Sequence, residues 1–283
     1  MSADVRINTT SYAVIMAAFD LDMPARGVLT ASTGLAALFD ARVIGVAAGE
    51  NTISPYFAEG PIADKFVAQS EADLREQLKS LQRQFREAHA ARSDRVEWRM
   101  AERLPDGFMI ASARAADLIV TSRPSPHGNL MHGPDVANLV MQAGRPVLVV
   151  PPDAATFSAD RILVAWKDTR EARRAVSDAL PLLARAKQVH IVAIPEPESN
   201  DAATLAGADD VVNWLARHGV QATAIARPDF GGVGKSIELA AEEFGADIIV
   251  AGAFGHSRFM EWLLGGVTRH LLRSAKAGVL FSH

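Results

Sequence analysis

The feature that most constrains this chain is an internal repeat. The segment Ala116-Asp-Leu-Ile-Val120 returns as Ala246-Asp-Ile-Ile-Val250, and each copy follows an Ala-rich stretch. Each is followed by a polar loop, a helical segment and a closing apolar run, which is Pro146–Val150 in the first half and Gly278–Ser282 in the second. A repeat of this size predicts one structural unit that occurs twice.

The openings of the two halves match as well. Tyr12–Ala18 and Arg161–Trp166 are apolar runs of strand length, and each leads through a polar turn into a helical segment. The junction is expected near Pro151-Pro152-Asp153, because two prolines cannot continue a strand ladder. The length of 283 residues also favours two domains. The sequence therefore predicts domains at residues 1–152 and 153–283.

Short runs of Val, Ile and Leu alternate with helical segments in each half. The runs are continuously apolar, which is typical of strands covered by helices on both faces. The alternation predicts an α/β fold of two tandem doubly wound domains, each an approximately five-stranded parallel sheet with helices on both faces. The long charged segment Pro61–Arg92 predicts a helix whose charges face solvent.

Composition excludes several classes of function. The chain has no cysteine, which excludes disulfides, thiolate-bound zinc, iron–sulfur clusters and thiol catalysis. A net charge of -4 argues against a general nucleic-acid binder. There is no apolar run of about 20 residues, and Met1–Thr10 lacks the apolar core of a signal peptide. We expect a cytoplasmic protein that binds neither nucleic acid nor membrane.

The chemically informative segment is a glycine-rich stretch of the second half. A predicted buried strand ends at Ala251, Gly252 and Gly255 follow, and Gly265-Gly266-Val267-Thr268 then opens a helix. Glycine lets backbone amides approach a ligand without a Cβ in the way, and a helix N-terminus favours an anion. At the carboxyl ends of parallel strands, where open sheets bind ligands, the pattern favours a phosphate site. The same glycines could serve only tight turns and close helix–sheet packing.

The spacing Gly-x2-Gly-x9-Gly, with Val-Thr after it, resembles the universal stress protein family. The opening Ile162-Leu-Val-Ala-Trp-Lys-Asp-Thr169 is similar to that family too, and the likeness covers residues 160–283. The first half resembles the family only in its framework. The resemblance implies a tandem universal stress protein with an adenine nucleotide alpha hydrolase-like fold and a role in stress adaptation. Many members bind ATP, and their closing strands usually pair across a dimer, so here the halves are expected to form an intramolecular pseudo-dimer.

The resemblance also implies a set of nucleotide-binding residues. The turn after the first strand and the end of the second strand are expected to border the base and ribose, and the glycine loops to hold the phosphates. Two positions depart from the family, which commonly has Asp at the position of Lys167 and Ser at that of Gly266. The implied nucleotide-binding residues are Ala165, Trp166, Lys167, Ile194, Ala251, Gly252, Ala253, Gly255, Gly265, Gly266, Val267 and Thr268.

Two other segments are interpreted structurally. Thr121–Gly133, the first-half counterpart of the glycine-rich stretch, lacks the spaced glycines and carries prolines, which delete amide donors. We expect the first domain to have a degenerate nucleotide site. Gly231-Gly-Val-Gly-Lys-Ser236 has Asp229 where a P-loop requires glycine, and it is not expected to follow a hydrophobic strand closely. It predicts a loop and helix N-cap, with Ser236 in the first turn.

Three classes of function remain open. The leading hypothesis is a stress-response protein that binds ATP or another adenine nucleotide, with or without Mg, and acts as a signalling module on an unidentified protein partner, with a homodimer as a further option. The second is an enzyme for slow ATP hydrolysis or adenylyl transfer, although His256, Ser257 and Glu261 lack an orienting acid, so no catalytic residue or metal ligand is assigned. The third is a nucleotide-free interaction protein, or a binder of another small ligand.

Overall fold

The first half of the chain alternates strands with helices. The computed structural model describes residues 11–51, 61–125, 129–195, 201–253 and 266–283. The elements of the first half are β1 (Val14–Phe19), α1 (Arg26–Phe39), β2 (Arg42–Gly49), α2 (Pro61–Ala88), β3 (Val96–Glu102), α3 (Pro105–Ala113), β4 (Leu118–Ser122), α4 (Val136–Gln142) and β5 (Val147–Val150).

The second half repeats this order of strands and helices. Its elements are β6 (Arg161–Trp166), α5 (Arg170–Leu183), β7 (Gln188–Ala193), α6 (Asp201–Arg217), β8 (Ala222–Ala226), α7 (Val233–Phe244), β9 (Ile248–Gly252), α8 (Gly266–Ser274) and β10 (Gly278–Ser282).

All the strands join one ten-stranded sheet in the order β3-β2-β1-β4-β5-β10-β9-β6-β7-β8. Within each half neighbouring strands are parallel, as where Ala165 of β6 lies opposite Ala251 of β9. The halves meet through the antiparallel pair β5–β10, in which Leu148 lies opposite Leu280. The predicted fold class is confirmed, and the two closing strands pair within the chain. The domain boundary at residue 152 stays a prediction.

Helices cover both faces of the sheet. Alternate residues of one strand enter two separate apolar clusters, so that Ile15 packs on the side of α1, α2, α5 and α6, whereas Met16 packs on the side of α3, α4, α7 and α8. Both side chains are fully buried. This two-sided burial is why the strands are continuous apolar runs in the sequence.

The outer elements differ most from the sequence prediction. The helix predicted to reach Arg92 ends at Ala88, and a short 3₁₀ helix follows at Ala90–Arg95. The charges of α2 do face solvent, but Leu78 and Phe85 on its other face are buried. The outermost strands, β3 and β8, consist only of exposed and half-buried residues, so they lack the buried apolar run that marks the inner strands. None of the described helices is long and apolar enough to cross a membrane.

Candidate functional site

The predicted binding residues of the second half gather at one edge of the sheet. The carboxyl ends of β6, β7 and β9 meet there, because Ala165 pairs with Ala251 and Trp166 pairs with Ala193. Ile194 directly follows Ala193. The sequence pattern therefore selected residues that are neighbours in space.

The turn after β6 carries the residue that departs from the family pattern. Lys167 is exposed, and its backbone carbonyl accepts a hydrogen bond from the amide of Thr169 at 2.7 Å. The Thr169 hydroxyl then accepts from the amide of Ala172 at 3.3 Å and caps the first turn of α5. The backbone of the turn is fixed by these hydrogen bonds, so the Lys167 side chain starts from a defined position at the edge of the site.

Gly252 has a packing role that the sequence analysis left as an alternative. A Cβ on this residue would lie 2.5 Å from the backbone nitrogen of Ala172 and 2.5 Å from the carbonyl carbon of Glu171. The absence of a side chain is thus what lets β9 approach α5. The next amide, that of Ala253, donates to the carbonyl of Ser282 at 2.9 Å and is engaged within the sheet.

The N-terminus of α8 is the part of the site that suits an anion. Gly266 opens the helix and is exposed, and no atom of the described residues lies within 4 Å of where its Cβ would be. The first turn contains no acidic residue. Val267 packs against the apolar cluster that also receives Ala165 and Ile194, whereas Thr268 lies on the buried face of the helix. Of the predicted site, Gly255 and Gly265 lie outside the described residues, as do His256, Ser257 and Glu261.

The corresponding helix of the first half, α4, begins at a carboxylate. The side chain of Asp135 accepts hydrogen bonds from the amides of Ala137 at 2.9 Å and Asn138 at 3.3 Å. Asp106 of α3 accepts from the amide of Asp135 and from the side-chain amide of Asn138, both at 2.8 Å. Two carboxylates therefore hold the donors and the positive dipole end that a phosphate would use. An Asp before a helical run is an N-cap signal, but the sequence analysis passed over it.

The carboxyl edge of the first half is covered by loop 129–133, which leaves a cavity of about 130 Å³ beside Asp20. The carbonyls of Met131 and His132 accept from the amides of Glu50 and Leu21, each at 2.8 Å. Gly133 lies against Asp20, since a Cβ on Gly133 would be 2.3 Å from the carboxyl carbon. Burial raises the pKa of Asp20 above its ordinary value. The chain itself takes the space beside the ends of β1 and β2.

The glycine-rich segment before α7 forms a closed loop. The carboxylate of Asp229 accepts from the amide of Gly232 at 2.6 Å and from the hydroxyl of Ser236 at 3.1 Å, and the amide of Phe230 donates to that hydroxyl at 2.7 Å. Ser236 is buried in the first turn, as predicted. The expectation that no hydrophobic strand closely precedes the segment is wrong, because β8 ends at Ala226. Within the described ranges no three His, Asp or Glu side chains are grouped as metal ligands.

Comparison with known proteins finds a family model that matches the second half and solved structures that share the fold of the whole chain. Residues 158–283 match the model of the universal stress protein family. A universal stress protein from Archaeoglobus fulgidus DSM 4304 is similar over 95% of this chain and 98% of that one, with a TM-score of 0.70 and 16% identity. A functionally unknown protein from Pseudomonas aeruginosa PAO1 is similar over 97% and 93%, with a TM-score of 0.58 and 16% identity. No curated protein matches the sequence.

Proposed function

We propose that the second half of the chain, which matches the model of the universal stress protein family, binds an adenine nucleotide and acts as a signalling module in a stress response, without efficient catalysis. The first half serves as a scaffold that binds no nucleotide. A cytoplasmic location belongs to the same proposal and suits a chain without cysteine.

One observation carries the proposal, namely the open start of α8. A helix N-terminus offers unpaired amides and a positive dipole end, and both favour phosphate. At α4 these are taken by Asp135, whereas the first turn of α8 has no acidic residue and, among the residues that the structure describes, none approaches the Cβ position of Gly266. The amides at the start of α8 would hold the phosphates, and Ala165 and Ile194 would border the base and ribose.

Lys167 also favours a negatively charged ligand at this edge. Its ammonium group lies on the turn between β6 and α5, at the sheet edge where the nucleotide would sit. A cation within a Debye length of bound phosphates favours them electrostatically, although solvent screens an exposed group. The basic residue thus changes which part of the nucleotide this turn contacts, from base or ribose toward phosphate.

The decisive experiment transfers the first-half arrangement to the second half. Gly266→Asp adds a carboxylate at the open start of α8, where no atom of the described residues obstructs it. An acid in the first turn favours the helix, so folding should be retained while phosphate is repelled. The matched control is Gly107→Asp, since Gly107 is exposed in the first turn of α3 and also has no atom within 4 Å of its Cβ position.

Equilibrium dialysis of the full chain with ATP, ADP or AMP, with and without magnesium, measures the affinity for each nucleotide. A phosphate-release assay on the same samples measures hydrolysis of ATP. We expect binding by the parent and by Gly107→Asp, a loss of roughly tenfold or more in Gly266→Asp, and negligible release of phosphate from ATP. Unchanged affinity in Gly266→Asp contradicts the assignment of the site. Steady phosphate release supports the enzyme, and the absence of binding of every nucleotide supports an interaction protein.

A further inference from the structure

Near the C-terminal end of both α2 and α6, an aromatic side chain packs against a histidine four residues later. Phe85 and His89 are four residues apart with ring centroids at 4.5 Å, and Trp214 and His218 are four residues apart at 4.4 Å. In both halves the histidine is the first residue after the helix. The pairs therefore occupy corresponding positions of the repeat.

In the first half this pair belongs to a filled core. The ring of Phe85 is fully buried, meets Phe19 at the end of β1 at 6.2 Å, and meets Trp98 at 5.2 Å. His89 is 2% exposed. A cavity of about 240 Å³ borders Phe85 and Trp98 on the side of Val96, but Phe19 is not part of its wall.

In the second half Trp166, the counterpart of Phe19, lines a larger cavity together with Trp214. Trp166 ends β6 as Phe19 ends β1, yet no ring contact joins it to Trp214 in the described part of the chain. A cavity of about 430 Å³ lies beside both indoles, with Val176 of α5 and with Gly207 and Val211 of α6 in its wall. That volume is within the range of small-molecule sites.

The rim of the cavity carries an excess of negative charge. Asp168 and Asp210 are the acidic residues in its lining, and Arg173 is the basic one. Arg173 donates to one oxygen of Asp168 at 2.6 Å from Nη2 and at 3.1 Å from Nε. Asp210 is exposed, and none of the described residues pairs with its carboxylate. One carboxylate beside the indoles is therefore left for a ligand.

We infer that this cavity binds a compact organic cation, an alkyl- or arylammonium group whose apolar body lies against Trp166 and Trp214 and whose charge lies near Asp210. Tryptophan is the strongest aromatic partner for a cation, and a desolvated ammonium gains more from it than an exposed one. The inference goes beyond nucleotide binding and does not depend on it, because the cavity and the nucleotide site share only Trp166.

Benzyltrimethylammonium is the probe, and its uncharged carbon isostere neopentylbenzene is the reference compound. The full chain carries four tryptophans, so their indole N–H resonances report on each ring separately. We expect saturable shifts at Trp166 and Trp214, none at Trp98 in the first-half core, and roughly tenfold weaker binding of the neutral compound. Equal binding of the two compounds overturns the inference, as does the absence of saturable shifts.

Two variants locate the site, and the charge variant has a matched control. A Cβ at Gly207 meets nothing closer than 3.8 Å, so Gly207→Leu should fill the cavity without strain, abolish binding and leave the melting temperature unchanged or higher. Asp210→Asn should weaken binding roughly tenfold, whereas Asp209→Asn, an exposed neighbour outside the cavity lining, should not. Binding that survives Gly207→Leu, or equal affinity in the two asparagine variants, overturns the inference.

Discussion

The two halves of the sheet have the same strand order but differ at their carboxyl edges. In the first half, Asp135 and Asp106 satisfy the start of α4, and loop 129–133 covers the ends of β1 and β2. In the second half the start of α8 has no acidic residue, and no described residue approaches the Cβ position of Gly266. The strand framework does not require a ligand, since side chains of the protein can take the same hydrogen bonds.

The difference continues beneath the edge, between the sheet and the helices. The first half packs Phe19 against Phe85, whereas the larger rings Trp166 and Trp214 border an open cavity. Larger side chains have thus not given a denser core, because α6 faces them with Gly207 where a bulkier residue would fill the space.

The largest expected effect comes from emptying the filled core. Phe85→Ala removes a fully buried ring and should lower the free energy of unfolding by about 3–5 kcal/mol. Trp214→Ala should cost clearly less, because that ring is only partly buried beside an existing cavity. Urea unfolding measures both, and equal losses would mean that the two aromatic pairs do not differ as described.

An intermediate effect is expected at Gly133, where loop 129–133 packs against the carboxyl edge of the first half. Gly133→Ala places a methyl group 2.5 Å from a carboxylate oxygen of Asp20, and overpacking of this kind costs about 1–3 kcal/mol. Gly266→Ala, at a position with open space, should change stability by about 0.5 kcal/mol or less. Thermal unfolding of the two variants side by side tests the contrast, which fails if Gly133→Ala is as stable as Gly266→Ala.

The smallest effect concerns pH and the histidine after α2. Burial lowers the pKa of His89, whose Nδ1 lies 3.0 Å from the carbonyl of Phe85. The unfolded chain takes up this proton near the ordinary value of about 6.5, and the folded chain only at lower pH. Stability is therefore full above that value and falls as the pH drops toward the folded pKa, by at most about 1.4 kcal/mol per pH unit.

Unfolding free energies of the parent and His89→Asn, measured between about pH 7 and pH 5, isolate this contribution. The variant should lose that part of the pH dependence. His218→Gln is the matched control, because His218 lies exposed after the corresponding helix. A parent and a His89→Asn variant with the same pH dependence would show that the buried ring does not contribute.

The sequence predicted the inner framework well, because inner strands are buried on both faces. β6 and β10 have the predicted bounds, and the predicted site residues that the structure describes gather at one edge. The outer strands β3 and β8 escaped prediction because their exposed residues break the apolar run. Contacts between distant segments, such as Asp106 with Asp135 or loop 129–133 with Glu50, leave no local pattern in the sequence.

The cavity escaped prediction for a similar reason. Trp214 has the spacing of an ordinary packing residue, and only the structure shows that Gly207 leaves space beside it. Gly252 shows the opposite case, since its place in a ligand motif does not reveal that α5 would collide with any side chain there. A glycine pattern gives the positions without Cβ atoms, but it does not give what approaches them.

The antiparallel pairing of β5 with β10 has a geometric consequence for assembly and for communication. Each closing strand already has a hydrogen-bonded neighbour on both sides, so another copy of the chain could extend this sheet only at its outer borders, β3 and β8. The same pairing turns the halves head to tail, so their carboxyl edges point to opposite poles of the molecule. A conformational change caused by a ligand at the carboxyl edge of the second half would have to cross the sheet to reach the carboxyl edge of the first half.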